Sequence, residues 1–210
     1  MTKSDFIKQC FDAIDQITIG QFVTLRGFDE IPDQVAVNND IDIMVCGSHV
    51  IEPLNHHFSQ MGFTLNVDNH TYLYGAEPHF QFINHQMDTK FDIVTGLYYR
   101  SMNDKMTWIP INKEVEKSMM INKVKVEDMW KKQPSVEDEL VHILCHCIFD
   151  KREMKEKYIS RIHYLFDKSE KTKLKTLLEK AFYSFSEKIY DNMIENTREL
   201  SNLYLTYNTY

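Results

Sequence analysis

Apolar residues recur at helical spacing at Phe6, Ile7, Cys10, Phe11, Ile14 and Ile17, which predicts an amphipathic helix over residues 4–18, with Gly20 ending it. The stretch QFVTL at residues 21–25 reads as a strand, and Arg26-Gly27 turns out of it. Residues 28–39 hold Pro32, Asn38, Asn39 and several acids, which is loop chemistry. Residues 40–46 (DIDIMVC) alternate polar and apolar and read as a second strand. Val50, Ile51, Leu54, Phe58 and Met61 then mark a helix over residues 48–61, ended by Gly62. Four short β signals follow at residues 63–67, 71–74, 79–84 and 90–95.

The pattern changes after about residue 130. Pro134-Ser135 opens a helix with Ser135 as N-cap and Glu137, Asp138 and Glu139 in its first turn, where acids favour the helix dipole. Leu140, Ile143, Leu144, Cys147 and Ile148 form its apolar face. A second helix spans residues 153–166. A third begins near Lys171, with Leu174, Leu177, Leu178, Ala181, Phe182 and Phe185 on one face. The expected fold class is α+β: a mixed sheet flanked by helices over residues 1–130, then a helical bundle over 131–210 that walls one side of a cleft.

Composition narrows the function. The 210 residues carry a net charge of −7, whereas proteins that grip nucleic acid through its phosphates usually have a basic excess, so duplex nucleic acid is not an expected partner. No apolar run reaches membrane-spanning length, so no membrane insertion is expected. The N-terminus MTKSDFIKQC is amphipathic, unlike a secretory signal. Cys10, Cys46, Cys145 and Cys147 show no disulfide-framework spacing. The chain therefore reads as cytoplasmic, with reduced thiols.

The chemistry lies in two strands. On residues 40–43 (DIDI), alternation turns Asp40 and Asp42 to one face and Ile41 and Ile43 to the core. Same-face neighbours lie about 6.5–7 Å apart. Two carboxylates at that separation repel by about 2–2.5 kcal/mol at an effective dielectric of about 20. A strand gains nothing structural from this, but a divalent cation converts the repulsion into binding, and hard oxygen ligands suit Mg²⁺ or Mn²⁺. Asp92, between Phe91 and Ile93, completes a three-carboxylate cluster if the two strands pair.

A strand ending in Leu25-Arg26-Gly27, a spacer, and an Asp-x-Asp strand 13 residues after the glycine together resemble the signature of the nucleotidyltransferase superfamily. In that family the glycine turn cradles nucleotide phosphates, the first two acids hold two metals, and the third holds one metal and activates the acceptor hydroxyl. The resemblance assigns these roles to Gly27, Asp40, Asp42 and Asp92. The family usually has Ser or Gly after the glycine, where this chain has Phe28. The Phe28 N–H can still meet a phosphate, and Arg26 offers a bidentate charge partner. The stretches FDIVTGLYYRS and PSVEDELVHILCHCIFDK resemble bacterial nucleotidyltransferase-like proteins associated with surface polysaccharide synthesis. More weakly, LRG, the Ile-Pro loop and DIDI resemble phosphorylcholine transferases. DIDI followed by a helix ending in Gly62-Phe63 is similar to aminoglycoside and lincosamide nucleotidyltransferases.

The resemblance implies transfer of a nucleotidyl or related phosphoryl-linked group from a nucleotide donor to a hydroxyl of a small molecule or sugar. Two alternatives stand beside it: a non-catalytic binding or scaffold protein of the same fold, and an antitoxin-like nucleotidyltransferase that modifies a protein. Arg100, eight residues beyond Asp92, is a further candidate phosphate contact. His79 and His85 flank a strand near the predicted cleft. Lys123 and Lys125 alternate in a potential β ribbon, and Tyr72, Tyr74 and Trp108 are potential stacking residues. His142 and His146 have i, i+4 spacing that suits zinc, but lack a metalloprotease glutamate and fit packing or hydrogen bonding better.

Overall fold

A computed structural model describes residues 1–27, 31–33, 40–68, 72–73, 79–101, 107–125 and 132–203. In chain order the main elements are α1 (Lys3–Ile17), β1 (Phe22–Thr24), β2 (Asp40–Val45), α2 (Ile51–Gln60), β3 (Thr64–Asp68), β4 (Tyr72–Leu73), β5 (His79–Asn84) and β6 (Thr89–Val94). There follow β7 (Tyr98–Arg100), β8 (Thr107–Pro110), α3 (Lys113–Ile121), β9 (Val124–Lys125), β10 (Lys132–Gln133), α4 (Val136–Cys145), α5 (Glu156–Lys168), α6 (Lys171–Phe182) and α7 (Ser186–Glu195). The protein is α+β. No described helix is long and apolar enough to cross a membrane.

The chain forms two compact units that interleave along the sequence. The first comprises residues 1–70, 77–97 and 123–134; the second comprises residues 71–76, 98–122 and 135–210. The second unit therefore takes in two segments from before residue 130, the position at which the sequence pattern changes.

The first unit is built on a five-stranded sheet of order β1-β2-β6-β5-β3. β2 and β6 run parallel, and the other neighbouring pairs are antiparallel. One face packs against α1 and α2 in a single apolar core. Strand alternation selects that face: Ile41, Ile43, Phe82, Phe91 and Ile93 are all essentially inaccessible. Phe58 of α2 stacks on Phe63 at 4.8 Å between ring centroids, and meets Phe82 edge-on at 5.1 Å and Phe91 at 5.6 Å. Phe11 of α1 reaches the same Phe91 at 5.7 Å. Full burial of such a side chain stabilises by about 1.5–3 kcal/mol.

The ends of α1 follow local chemistry. The Thr2 hydroxyl accepts from the Asp5 amide at the N-cap. Beyond Thr18 the chain reverses through Ile19 and Gly20, both at positive φ. Lys132 of β10 fastens this turn: its ammonium donates to the Gly20 carbonyl at 2.9 Å, pairs with Asp15 and lies 4.6 Å from the Phe22 ring centroid. A two-stranded β9–β10 ribbon is present where residues 123–125 alternate.

The second unit joins a three-stranded sheet, β4-β8-β7, to helices α3 to α7. Its central helix is α4, whose residues Glu137 to Cys145 are all buried. Ser135 caps it as expected. The acids of its first turn do more than meet the dipole: Glu137 pairs with Lys173 at 2.9 Å, and Glu139 receives a two-pronged contact from Arg161 at 2.7 and 2.9 Å. The third predicted helix is two helices. α6 stops at Phe182, and after a short turn α7 resumes at Ser186, leaving Phe185 only half-buried. α3, β7 and β8 were not signalled by periodicity. α3 buries only Val115 and Met119, too few positions to register as a stripe.

All four cysteines are free thiols; Cys46 is exposed and Cys10, Cys145 and Cys147 are buried. Burial pushes the Cys10 thiol up to about 12 and the Cys145 thiol well above its usual range. Because the thiolate is the reactive form, the native protein should give one fast-reacting thiol with a disulfide reagent at about pH 8, and four in denaturant. Two fast thiols in the native state would contradict the packing of α1 or α4.

Candidate functional site

The register of β2 against β6 brings the predicted acids together. Asp42 lies directly opposite Asp92, and Asp40 lies opposite Lys90. The inward residues of both strands belong to the core, so the acids project from the opposite face. β5 extends that polar face, because Gln81 is the cross-strand partner of Asp92. The Gln81 side chain in turn accepts from Asn66 of β3 at 3.3 Å.

Each acid has a basic neighbour. Arg26 meets both oxygens of Asp42, with Nε donating to Oδ2 at 2.7 Å and Nη2 donating to Oδ1 at 3.1 Å. Lys90 donates to Asp40 Oδ2 at 3.1 Å. His79 Nδ1 lies 3.7 Å from Asp92 Oδ1, beyond hydrogen-bond length. That Asp92 oxygen is buried and has no hydrogen-bond partner among the described residues. An orphaned carboxylate oxygen in a buried position is costly and needs an explanation, such as a ligand or an ion.

Burial pushes the Asp42 carboxyl above its usual range. The Arg26 guanidinium opposes this, while the charges of Asp92 and Asp40 add to it. The ionised form of Asp42 is therefore disfavoured, chiefly by its burial, despite the Arg26 contact.

Arg26 ends the segment after β1, where the Leu25 amide still donates to the Asp42 carbonyl at 2.9 Å. Gly27 follows at φ +67°, a left-handed conformation that favours glycine, and a Cβ there would meet no described atom within 4 Å. Its positive φ is what favours glycine at this position. Phe28 lies outside the described residues, as do Tyr74 and the side chain of Tyr72.

The structure places Arg26, Gly27, Asp40, Asp42 and Asp92 in the first unit and Arg100 in the second. The Arg100 guanidinium lies 5.0 Å from the Trp108 ring centroid, and its amide donates to Asp150 Oδ1 at 2.9 Å. Arg26, expected to meet phosphate, here holds Asp42. Lys90 was not anticipated as the partner of Asp40; its signal was its place two residues before Asp92 on the same face. Gln81 was also missed, because only the pairing of β5 with β6 brings it to Asp92. Lys123 reaches the Gln21 side chain at 3.4 Å. His85 is exposed in the turn before β6.

His142 and His146 are buried and hydrogen-bonded in the second unit. The Tyr99 hydroxyl is 2.7 Å from His142 Nδ1, and His146 Nδ1 is 3.2 Å from Asp150 Oδ2. Six residues there, His146–Lys151, adopt a π-helical turn before Arg152 ends it at φ 53°.

Among the described residues, no three His, Cys, Asp or Glu side chains are drawn together as a ready-made ion cage. The donor types nevertheless suit a hard divalent cation: three carboxylates on adjacent strands, one with a buried oxygen that has no hydrogen-bond partner among the described residues. Comparison with models of protein families finds no match, and comparison with curated proteins finds none either.

Proposed function

We propose that this protein is a metal-dependent nucleotidyltransferase. It would move a nucleotidyl, or related phosphoryl-linked, group from an activated nucleotide to a hydroxyl of a small molecule or sugar. The observation that carries the reading is the β2–β6 register, which sets Asp42 opposite Asp92 with Asp40 two residues away on the same face. The sheet order β1-β2-β6-β5-β3, with a glycine turn after β1 and the Asp-x-Asp motif opening β2, is in keeping with the nucleotidyltransferase resemblance.

In this reading Asp40 and Asp42 supply oxygen ligands to Mg²⁺ or Mn²⁺, and Asp92 supplies a third. Bound divalent cations would neutralise the phosphates and the charge that develops during in-line displacement. The unpartnered Asp92 Oδ1 is the oxygen suited to accept the proton of the attacking hydroxyl. His79, 3.7 Å away, is positioned to steady the charge on Asp92. The turn at Gly27, at positive φ, is where a phosphate tail would be received in this reading.

A second reading is supported by the basic neighbours of the three acids. If Arg26 and Lys90 replaced the cations permanently, the fold would serve as a non-catalytic binding or scaffold protein. A thermal-shift screen of the four nucleoside triphosphates and CDP-linked donors, with and without Mg²⁺, separates the two. The transferase reading expects at least one donor to raise the melting temperature only when Mg²⁺ is present. No stabilisation by any donor in either condition would remove it.

A further inference from the structure

Resting on the transferase reading, the contact between Arg26 and Asp42 has a consequence for the order of binding. Both Asp42 oxygens are occupied by one guanidinium, at 2.7 and 3.1 Å. A divalent cation on either oxygen would sit against that guanidinium, and the repulsion between the two positive groups works against both holding Asp42 at once. The Lys90–Asp40 pair is a weaker obstacle, because it is one contact at 3.1 Å from a flexible point charge. Nor can Arg26 simply leave. Asp42 is mostly buried, with the charges of Asp92 and Asp40 pushing on it, and a buried carboxylate stripped of its partner is strongly disfavoured. A cation arriving as the guanidinium departs avoids both the repulsion and the unpaired carboxylate.

A guanidinium that leaves Asp42 can be received by an anion. Arg26 is about one-third exposed and immediately precedes Gly27. Its planar fork matches phosphate as well as it matches carboxylate. We propose that Arg26 is a partner-exchanging latch: it holds Asp42 in the metal-free protein and passes to the phosphate tail when the divalent cation takes Asp42. Metal and polyphosphate then bind together, and metal alone binds weakly. The latch keeps the acid site closed to stray cations until a nucleotide tail is present.

The test uses Mn²⁺ alone and Mn²⁺ with inorganic tripolyphosphate. Mn²⁺ affinity, read from the loss of the free-ion electron paramagnetic resonance signal, is measured for the wild type, Arg26→Ala, Arg26→Lys and Asp42→Asn. Arg26→Ala is expected to bind Mn²⁺ alone about tenfold more tightly than the wild type, and Arg26→Lys to fall between them. In thermal shift, Mn²⁺ with tripolyphosphate should stabilise the wild type by more than the two separate shifts combined. Arg26→Ala should lose that synergy. If Arg26→Ala fails to fold, Arg26→Lys, which keeps the charge but not the fork, carries the comparison. Equal Mn²⁺ affinity in the wild type and the Arg26 variants, with Asp42→Asn abolishing it, overturns the latch and leaves the transferase reading in place. No Mn²⁺ binding by any form, with or without tripolyphosphate, overturns both.

Discussion

Replacing Asp42 by Asn is expected to abolish metal-dependent donor binding and to lower transfer by about 10³-fold or more, equivalent to about 4 kcal/mol of transition-state stabilisation. The fold should survive the change. Asp42 is a net electrostatic burden in the metal-free protein: burial, Asp92 and Asp40 raise its pKa more than Arg26 lowers it. The sign of the pH dependence follows. A carboxyl whose folded pKa lies above its unfolded value is favoured in the folded state while protonated. Its contribution to stability is present below the ordinary carboxylate range and is lost as pH rises through the raised pKa. The Asp42 contribution in the metal-free wild type should therefore be lost as pH climbs from about 4 towards neutrality, whereas the lowered carboxyls of Asp5 and Glu137 act in the opposite sense and are common to wild type and variant. Asp42→Asn should remove that contribution, so that its stability relative to the wild type rises with pH, and it should melt no lower than the wild type near neutral pH. Mg²⁺ together with tripolyphosphate should recover stability in the wild type and have no effect in the variant. Asp92→Asn should likewise lose metal-dependent binding, since it replaces the carboxylate whose buried Oδ1 has no hydrogen-bond partner among the described residues. Melting curves across pH, with and without Mg²⁺ and tripolyphosphate, check these outcomes. A variant with full metal response would sink the proposed chemistry.

Phe58→Ala should have the largest effect on stability. Phe58 is fully buried and joins α2 to the sheet through Phe82 and Phe91, and to the start of β3 through Phe63. Removing it takes away transfer energy and leaves a cavity that the flanking rings, each held by other partners, cannot easily close. The expected cost is about 3–5 kcal/mol, or roughly 6–20 °C in melting temperature for a chain of this size. Because the chain forms two compact units, calorimetry is the suitable measurement. If the units melt separately, the transition of the first should move and the second should stay. A loss below about 1 kcal/mol would mean that the aromatic cluster does not hold α2 to the sheet.

The loss of metal response tests the site and the loss of stability tests the scaffold, and the two separate in the sequence as well. The residues whose side chains decide the core, Ile41, Ile43, Phe91 and Ile93, alternate with the residues that carry the chemistry. A one-residue slip of either strand would bury carboxylates and expose isoleucines, so the core itself fixes which way Asp40, Asp42 and Asp92 point. Phe58→Ala should therefore weaken metal binding only through partial unfolding. Asp42→Asn should do the reverse.

Strand alternation and helical periodicity were sufficient to locate α1, β1, β2, α2, β3, β5, β6, α4 and α5 to within a few residues, because those patterns are local. They also set the acids of β2 and β6 on the face away from the core, since a two-residue period leaves no other arrangement once Ile41, Ile43, Phe91 and Ile93 are inside. Helix α3 and the break between α6 and α7 were not legible, because α3 buries too few residues and the turn at Tyr183 interrupts an otherwise continuous apolar pattern. The partners of the acids were decided only by tertiary structure. That Asp42 faces Asp92 depends on β2 pairing with β6 in parallel, across 50 residues of chain. That β5 brings His79 to Asp92 and Gln81 opposite it depends on the strand order. Arg26 was legible as a cation beside a glycine turn, but not as the guanidinium that grips Asp42. A charge pattern states which groups are available; only the pairing of distant strands determines which of them meet.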